Sequence, residues 1–232
     1  MKTLLCLLVA LLVMGPVSAS PGFYVEAGGG HASFSNSDAT AAMPRLFAQF
    51  AFPAIYRWSG KLTSEQKTKN FPVLSAGYRF DERFGIHVSY QSVRNLTAQT
   101  AWEAQYVGGM PVDILLVAPP SFYTTIEDNL HVVSVGPEAI LPLVGKLSVM
   151  LSPEVNWVRL RRQVHERFVS LSPTQHLMYS ETDDKVSAGV TAGLVLGLTE
   201  KLQLSVRYKY VNFNPSFARD AHEVFATLRW NL

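Results

Sequence analysis

The chain has 232 residues, of which 48% are hydrophobic and only 16% are charged, and its formal net charge at pH 7 is +2. This length corresponds to one domain, or to one domain preceded by a segment that is removed. The near-neutral balance argues against a nucleic-acid-binding protein, which would carry a clear excess of lysine and arginine.

The N-terminus has the form of a secretory signal peptide. Lys2 supplies the positive charge, residues 4–14 form the apolar segment, and residues 17–19 (Val-Ser-Ala) provide a small-residue cleavage sequence. We therefore predict cleavage after Ala19, which makes 1–19 the signal peptide and 20–232 the mature domain. A retained anchor helix is the alternative, but the apolar segment is shorter than the ~20 residues that a spanning helix needs.

The mature chain offers no cysteine chemistry. The single cysteine, Cys6, lies inside the predicted signal peptide, so no disulfide, thiolate nucleophile or zinc–thiolate site is expected. The histidines are scattered without metal-ligand spacing, and the sequence predicts neither a metal nor a cofactor. No further apolar run could form a spanning helix, which leaves a soluble periplasmic β protein or an outer-membrane barrel.

Eight segments after the signal peptide show the two-residue alternation of β-strands. In chain order they are Gly22–Phe34, Phe71–Phe80, Phe84–Arg94, Ile126–Leu141, Leu147–Arg161, the two arms of Asp184–Tyr210, and Ala221–Leu232. The connections alternate between long and short, and the long ones are 35–69, 95–125, 163–180 and 212–220. This rhythm is typical of an even-stranded barrel with short periplasmic turns and long outer loops, and eight strands close around an interior that side chains fill.

The hairpin at 184–210 shows which face of the wall meets which environment. One face is aliphatic and ends in Tyr208 and Tyr210, whereas the other is small and polar and carries Arg207 in mid-strand. A wall with lipid on one side and a narrow polar interior on the other has this pattern. A soluble lipocalin-like barrel, the alternative, would direct its apolar residues inward.

Outward aromatic residues predict belts at both membrane interfaces. Near the short turns these are Phe23, Tyr78, Phe80, Phe84 and Trp230. Near the long connections they are Tyr90, Trp157, Tyr208 and Tyr210. The predicted fold class is therefore all-β, an eight-stranded antiparallel up-and-down transmembrane β-barrel.

Residues 73–80 (VLSAGYRF), the terminal 224–232 (VFATLRWNL) and the eight-strand rhythm carry a family resemblance. The chain resembles the small eight-stranded outer-membrane barrels, such as the transmembrane domain of OmpA. The resemblance implies a monomeric, porin-like or structural protein that contacts outer-membrane lipid and lipopolysaccharide and depends on the barrel-assembly machinery. The last strand departs from the usual assembly signal because its aromatic, Trp230, is followed by two further residues. We expect no soluble wall-binding domain like that of full OmpA proteins after the last strand, and wall anchoring is therefore not predicted.

Charged residues alternate onto the face predicted to line the interior. The candidate cluster is Glu26, Arg79, His87, Glu138, Glu154, Arg207 and Arg229. The same face also carries Lys185, Lys209 and Glu223. Desolvated charges must pair, which favours an ion-paired plug over the alternative of a gated small pore built from the same residues.

An enzyme is the runner-up function. His87 and Ser89 share one face of one strand, as the base and nucleophile of a lipid A acyl hydrolase or transferase would. That face is predicted to point into the interior, away from acyl chains, and no orienting carboxylate is identifiable. We therefore predict a non-enzymatic protein with a structural, surface-interaction or small-pore role.

Arginines cluster near the third long connection. They are Arg159, Arg161, Arg162 and Arg167. Because guanidinium groups match phosphate geometry, these residues are a candidate contact for lipopolysaccharide; ordinary solvated rim charge is the alternative. Segments 35–69 and 95–125 are too apolar to be simply solvated, and we expect them to pack over the barrel mouth, enter the outer leaflet or bind a partner. Residues 39–50 could form a short amphipathic helix.

Overall fold

The computed structural model describes residues 21–34, 56–106, 121–168, 176–212 and 220–232. The predicted signal peptide and the predicted helix at 39–50 lie outside these ranges. The described strands are β1 (Gly22–Phe34), β2 (Tyr56–Glu65), β3 (Thr68–Arg79), β4 (Phe84–Tyr106), β5 (Ser121–Val144), β6 (Leu147–Phe168), β7 (His176–Gly197), β8 (Leu202–Asn212) and β9 (Ala221–Asn231). Within the described part of the chain, no helix is long and apolar enough to cross a membrane.

The strands form one closed antiparallel barrel. Their order is β2-β4-β3-β1-β9-β8-β7-β6-β5, and β4 also pairs with β5, which closes the sheet. β3 pairs with residues 85–91 of β4, and β2 pairs with residues 98–106 of the same strand. β2 therefore continues the line of β3, and the closed ring contains eight strands, which confirms the predicted fold class. Closure pairs the backbone groups of neighbouring strands where lipid offers no hydrogen bonds.

Four strands are much longer than the sequence pattern predicted. β4, β5, β6 and β7 have 23, 24, 22 and 22 residues, whereas a membrane crossing needs about 9–11. β2 also lies within 35–69, which was predicted to be a loop, and β4 and β5 occupy both ends of 95–125. We call the added wall the upper sheet: β2 with residues 93–106, 121–132, 158–168 and 176–185 of β4 to β7.

On β4, β5 and β6 the upper sheet has polar side chains outside and mainly apolar ones inside, the opposite of the segments below, so the outward apolar pattern stops where it begins. Lower on β5, Glu138 and Ser134 are buried inside while Val135 is 42% exposed outside. Higher on the same strand, Leu130 and Ile126 are buried inside, on either side of Asp128, whose charge is paired with Arg162 of β6. An apolar inner face is what a sheet surrounded by water needs, whereas a polar inner face belongs to a wall surrounded by lipid. The change therefore marks a boundary between a wall segment suited to lipid and one suited to water.

A bulge on β4 coincides with this boundary. The pairing of β4 with β5 shifts between Val93 and Leu96. Asn95, inside the shift, has φ of 57°, a left-handed conformation that asparagine tolerates better than most residues. Its backbone N–H donates to Asn129 Oδ1 at 3.0 Å, and its carbonyl accepts from Lys69 Nζ at 3.2 Å. The bulge therefore joins the barrel to the upper sheet without leaving this backbone unpaired.

Two wall glycines make room for large interior side chains. A Cβ atom at Gly77 would lie 2.4 Å from the ring of Tyr24, and one at Gly30 would lie 2.3 Å from Cβ of Phe225. A side chain larger than hydrogen at either position would displace these neighbours. The Gly-Gly-Gly run in β1 is thus explained in part by interior packing.

Candidate functional site

Arg229 is the centre of the lower tier of interior charges. Its Nη1 donates to Glu138 Oε1 at 2.7 Å, and its Nε donates to Glu26. Glu26 also accepts from Arg207. The guanidinium carbon of Arg229 lies 3.9 Å from the ring centroid of Tyr24, within the range of a cation–π contact. One arginine therefore bridges two carboxylates and an aromatic ring at once.

Arg79 completes the lower tier. Its Nη2 donates to Gln203 Oε1 at 2.9 Å, and its Nε lies 4.0 Å from Glu138 Oε1. Arg79 is only 3% exposed, so its charge is enclosed by the wall and by these partners.

Glu154 is the centre of the upper tier. Its carboxylate accepts from Thr191 Oγ1 at 2.7 Å, forms an ion pair with Lys209 Nζ at 2.7 Å, and lies 3.2 Å from His87 Nε2. Lys209 also donates to Ser134 Oγ at 2.6 Å. The tier is thus a connected network in which each group touches at least one opposite charge or hydroxyl.

The formal charges of the two tiers balance. The structure places all seven residues of the predicted interior cluster inside the barrel, and Lys209 and Glu223 lie with them. The carboxylates are Glu26, Glu138, Glu154 and Glu223, and the cations, leaving His87 aside, are Arg79, Arg207, Lys209 and Arg229. Because the numbers are equal, the enclosed charges can neutralise one another without solvent or counter-ions.

An apolar layer closes the barrel above the ionic tiers. It contains Phe34, Phe71, Val73, Val93, Val132, Val158, Val211 and Phe225, all buried in one cluster with their neighbours. Phe71 and Phe225 meet edge to face with ring centroids 6.2 Å apart. At the opposite end Ile140, Met150 and Val195 form a smaller apolar cluster.

His87 and Ser89 both face the sealed interior, at 3% and 7% exposure. The structure does supply a carboxylate for His87, Glu154, which the sequence could not identify. Among the described residues, however, His87 makes no hydrogen bond to Ser89, and its Nδ1 is unpaired. No group of three or more His, Cys, Asp or Glu side chains in the described ranges could hold a metal ion.

The residues of the two predicted belts lie on the outer face, one group near the short turns and the other near the long connections, and their place at the membrane interfaces stays a prediction. In the lower belt Phe23 and Tyr78 meet at 4.9 Å between centroids, and Trp230 is 54% exposed. In the upper belt two tyrosines hydrogen-bond to outward histidines: Tyr90 with His131 at 2.8 Å and Tyr208 with His222 at 2.6 Å.

The predicted arginine cluster does not lie on one face. Arg159, Arg161 and Arg167 are exposed on the outer face of β6. Arg162 points to the inner face, where it forms a bidentate ion pair with buried Asp128 at 2.8 and 3.0 Å. The four arginines divide in this way because successive residues of a strand point to opposite faces. Their contact with lipopolysaccharide stays a prediction.

An apolar exterior bounded by aromatic belts, around a closed ion-paired interior, defines an integral outer-membrane β-barrel protein. Residues 3–228 match the family described as outer membrane protein beta-barrel domain, and the chain belongs to that family. Membership indicates the outer membrane as its location. No curated protein matches the chain.

Three solved structures are similar in fold. Neisserial surface protein A (NspA) has 16% identity and a TM-score of 0.51, with 91% of this chain and 97% of that chain covered. The attachment invasion locus protein Ail of Yersinia pestis has 12% identity and a TM-score of 0.49, with 91% and 99% covered. OprG from Pseudomonas aeruginosa has 12% identity and a TM-score of 0.48, with 93% and 99% covered.

Proposed function

We propose that this protein is a non-conducting outer-membrane barrel that acts through contacts at the cell surface, presented by its upper sheet. The observation that carries the proposal is the change of the outer face from apolar to polar side chains along β4 to β7. It divides each strand into a segment built for lipid and a second segment, of similar length, built for water. A barrel whose only task was to cross the membrane would not need the second segment.

The interior supports a plug rather than a pore. The apolar clusters at the two ends and both ionic tiers contain side chains that are almost fully buried, for example Met150, Glu138, Asn156 and Val158 at 0–1% exposure. Conduction needs a continuous polar path that ions can enter and leave. Paired charges beneath a layer of phenylalanine and valine do not provide such a path.

The interior also argues against the enzyme alternative. An acyl hydrolase or transferase must bring its nucleophile to a lipid acyl chain. Ser89 and His87 are enclosed by the wall, and Glu154, the carboxylate nearest His87, is held by Lys209 and Thr191. These contacts support a structural role for the tier. Delivery by a cleaved signal peptide and insertion by the barrel-assembly machinery remain part of the proposal.

In planar lipid bilayers, the folded wild-type protein is expected to show no channel events. The Arg207→Ala variant is expected to show none either, because the apolar layer above its tier stays in place. Insertion would be verified by the shift in gel mobility on boiling, with a porin in the same bilayer as the positive control. Reproducible current steps from the wild-type protein would contradict the plugged interior and support the alternative of a small pore.

The orientation of the upper sheet can be tested with single cysteines, because the mature chain has none of its own. Arg167→Cys, on the outer face of the upper sheet, is expected to react with a membrane-impermeant maleimide on intact cells. The matched variant Val155→Cys lies on the same face of β6, where Val155 is 60% exposed in the protein alone. It is expected to stay unlabelled because lipid covers it. Labelling of Val155→Cys, or of neither variant until the cells are lysed, would overturn the proposed placement.

A further inference from the structure

The outer wall carries a groove where its side chains change from apolar to polar. The groove spans β4 to β7 and has a volume of about 650 Å³. Tyr90, Val133 and Trp157 line its apolar end, and Arg159 and Arg161 line its polar end. It faces the surroundings of the barrel and is separated from the interior tiers by the wall.

The height of the groove follows from residue counting on β6. The outward residues run from Leu147 to Trp157, ten residues further along the strand. At ~3.3 Å per residue this is about 33 Å of strand, or about 25 Å of height at the usual barrel tilt, which equals the apolar band of outer-membrane barrels. Arg159 and Arg161 follow directly, so they lie at the level of the lipid headgroups.

The neighbouring strands change at the same register positions. Val133 and Val186 pair with Trp157, whereas His131 and Asp184 pair with Arg159. Three adjacent strands therefore pass from apolar to polar side chains along one line. The groove lies across that line, with one end suited to hydrocarbon and the other to a polar headgroup.

Arg159 is already held in place. It donates to both carboxylate oxygens of Asp184, at 2.8 and 3.1 Å, and its guanidinium carbon lies 5.2 Å from the ring centroid of Trp157. These hydrogen bonds lower the pKa of Asp184 below its usual value, so the pair stays ionised and neutral as a whole. Arg159 thus shapes the groove but contributes little net charge.

Arg161 is the cation available for a ligand. It is exposed, and its cross-strand neighbours are Asn129 and Thr182, which are uncharged. Within the described residues it has no carboxylate partner. Ser180 and Thr182 line the same end of the groove and offer hydroxyl groups. A guanidinium beside hydroxyls is a fitting arrangement for a phosphate.

We infer that this groove binds the phosphorylated headgroup of an outer-leaflet lipid, with the chemistry of lipid A. Arg161 and the hydroxyls of Ser180 and Thr182 bind the phosphate, and Trp157 and Val133 contact the first part of an acyl chain. Both ends of the groove are used only by a ligand that carries phosphate and hydrocarbon together. The inference gives the proposed surface protein one lipid ligand, and it rests on the upper sheet lying outside the membrane.

The test measures retention of lipid A by purified protein in nanodiscs of zwitterionic phospholipid. Wild-type protein is expected to bind diphosphorylated lipid A, and Arg161→Ser is expected to bind it about tenfold or more weakly, because a charge-assisted contact is lost. Arg167→Ser is the matched control: it removes an exposed arginine from the same face of β6 above the groove. Its affinity is expected to stay within about twofold of wild type because an exposed charge outside the site contributes little.

Two further probes identify the source of the phosphate. Lipid A stripped of its phosphates is expected to bind wild type and Arg161→Ser alike, and inorganic phosphate is expected not to displace lipid A. Equal binding of diphosphorylated lipid A by wild type and Arg161→Ser, or an equal loss in Arg167→Ser, would overturn the site. Displacement of lipid A by inorganic phosphate would mean that the groove binds a free anion and not a lipid. The nanodisc measurement does not depend on which end of the barrel faces the cell exterior. A failure of the lipid site can therefore be distinguished from a failure of the proposed orientation, which the labelling experiment tests.

Discussion

Replacing Arg229 with methionine is expected to lower the free energy of unfolding of the barrel by about 3–5 kcal/mol. Arg229 is 1% exposed and pairs with both Glu26 and Glu138. Without Arg229, the enclosed carboxylates would outnumber the enclosed cations. An unpaired buried charge destabilises the fold far more than the intact ion pair stabilises it. The measurement is urea unfolding in detergent micelles, followed by the mobility difference between folded and unfolded forms.

The matched control is Arg159→Met, because Arg159 also makes a bidentate contact with a carboxylate, Asp184. This pair lies on the outer surface, with side-chain exposures of 50% and 42%, and exposed pairs contribute about 1 kcal/mol or less. Equal losses in the two variants would mean that water reaches the interior tier. If Arg229→Met is strongly destabilised, adding Glu138→Gln should recover part of the lost free energy of unfolding, since it removes one of the carboxylates left without a partner.

Truncating Phe225 to alanine is expected to destabilise the barrel by about 3–5 kcal/mol, through lost burial and the cavity left in the apolar layer. Phe225 is 5% exposed and contacts Phe71 across the interior. The layer is confined by a closed wall, so its neighbours have little freedom to collapse into the space. Unfolding in urea, measured as for Arg229, gives the loss directly.

Phe84→Ala is the control for Phe225→Ala, because Phe84 is an aromatic of the same size that lies 55% exposed on the outer face. Lipid fills the space left there, so a clearly smaller loss is expected. A loss in Phe84→Ala as large as that in Phe225→Ala would mean that the interior phenylalanines are not packed as the structure shows. Phe225→Ala should still show no channel events, because the ionic tiers beneath it remain paired.

The membrane part of the fold could be predicted because its signal is local. From Val186 to Leu194 on β7, and from Leu202 to Tyr210 on β8, every second residue is apolar or aromatic and faces lipid. This pattern needs no knowledge of the partner strands. The upper sheet could not be predicted in the same way, since its outward residues are polar and the apolar alternation changes face part-way along β4, β5 and β6.

β2 depended most on its partner. It lies in a segment predicted to be a loop, and it is ordered along residues 98–106 of β4 by cross-strand pairing. Trp102 of β4 packs over Gly60 of β2, where a Cβ would lie 2.7 Å from the indole ring. Neither residue signals this contact in the sequence, because a tryptophan in a presumed loop and a glycine many residues earlier have no visible relation.

The sequence by itself determined which side chains face lipid and which face inward, because the period of two is a property of the single extended chain. It also determined the acids and bases that the interior would enclose. Only the tertiary structure decided which of these residues are in contact. Arg229 lies 203 residues from Glu26 and 91 from Glu138 along the chain, yet it pairs with both. Such contacts depend on register and closure, which are set by the pairing of distant strands. For the same reason the outer groove, assembled from side chains of four strands, exists only in the folded wall.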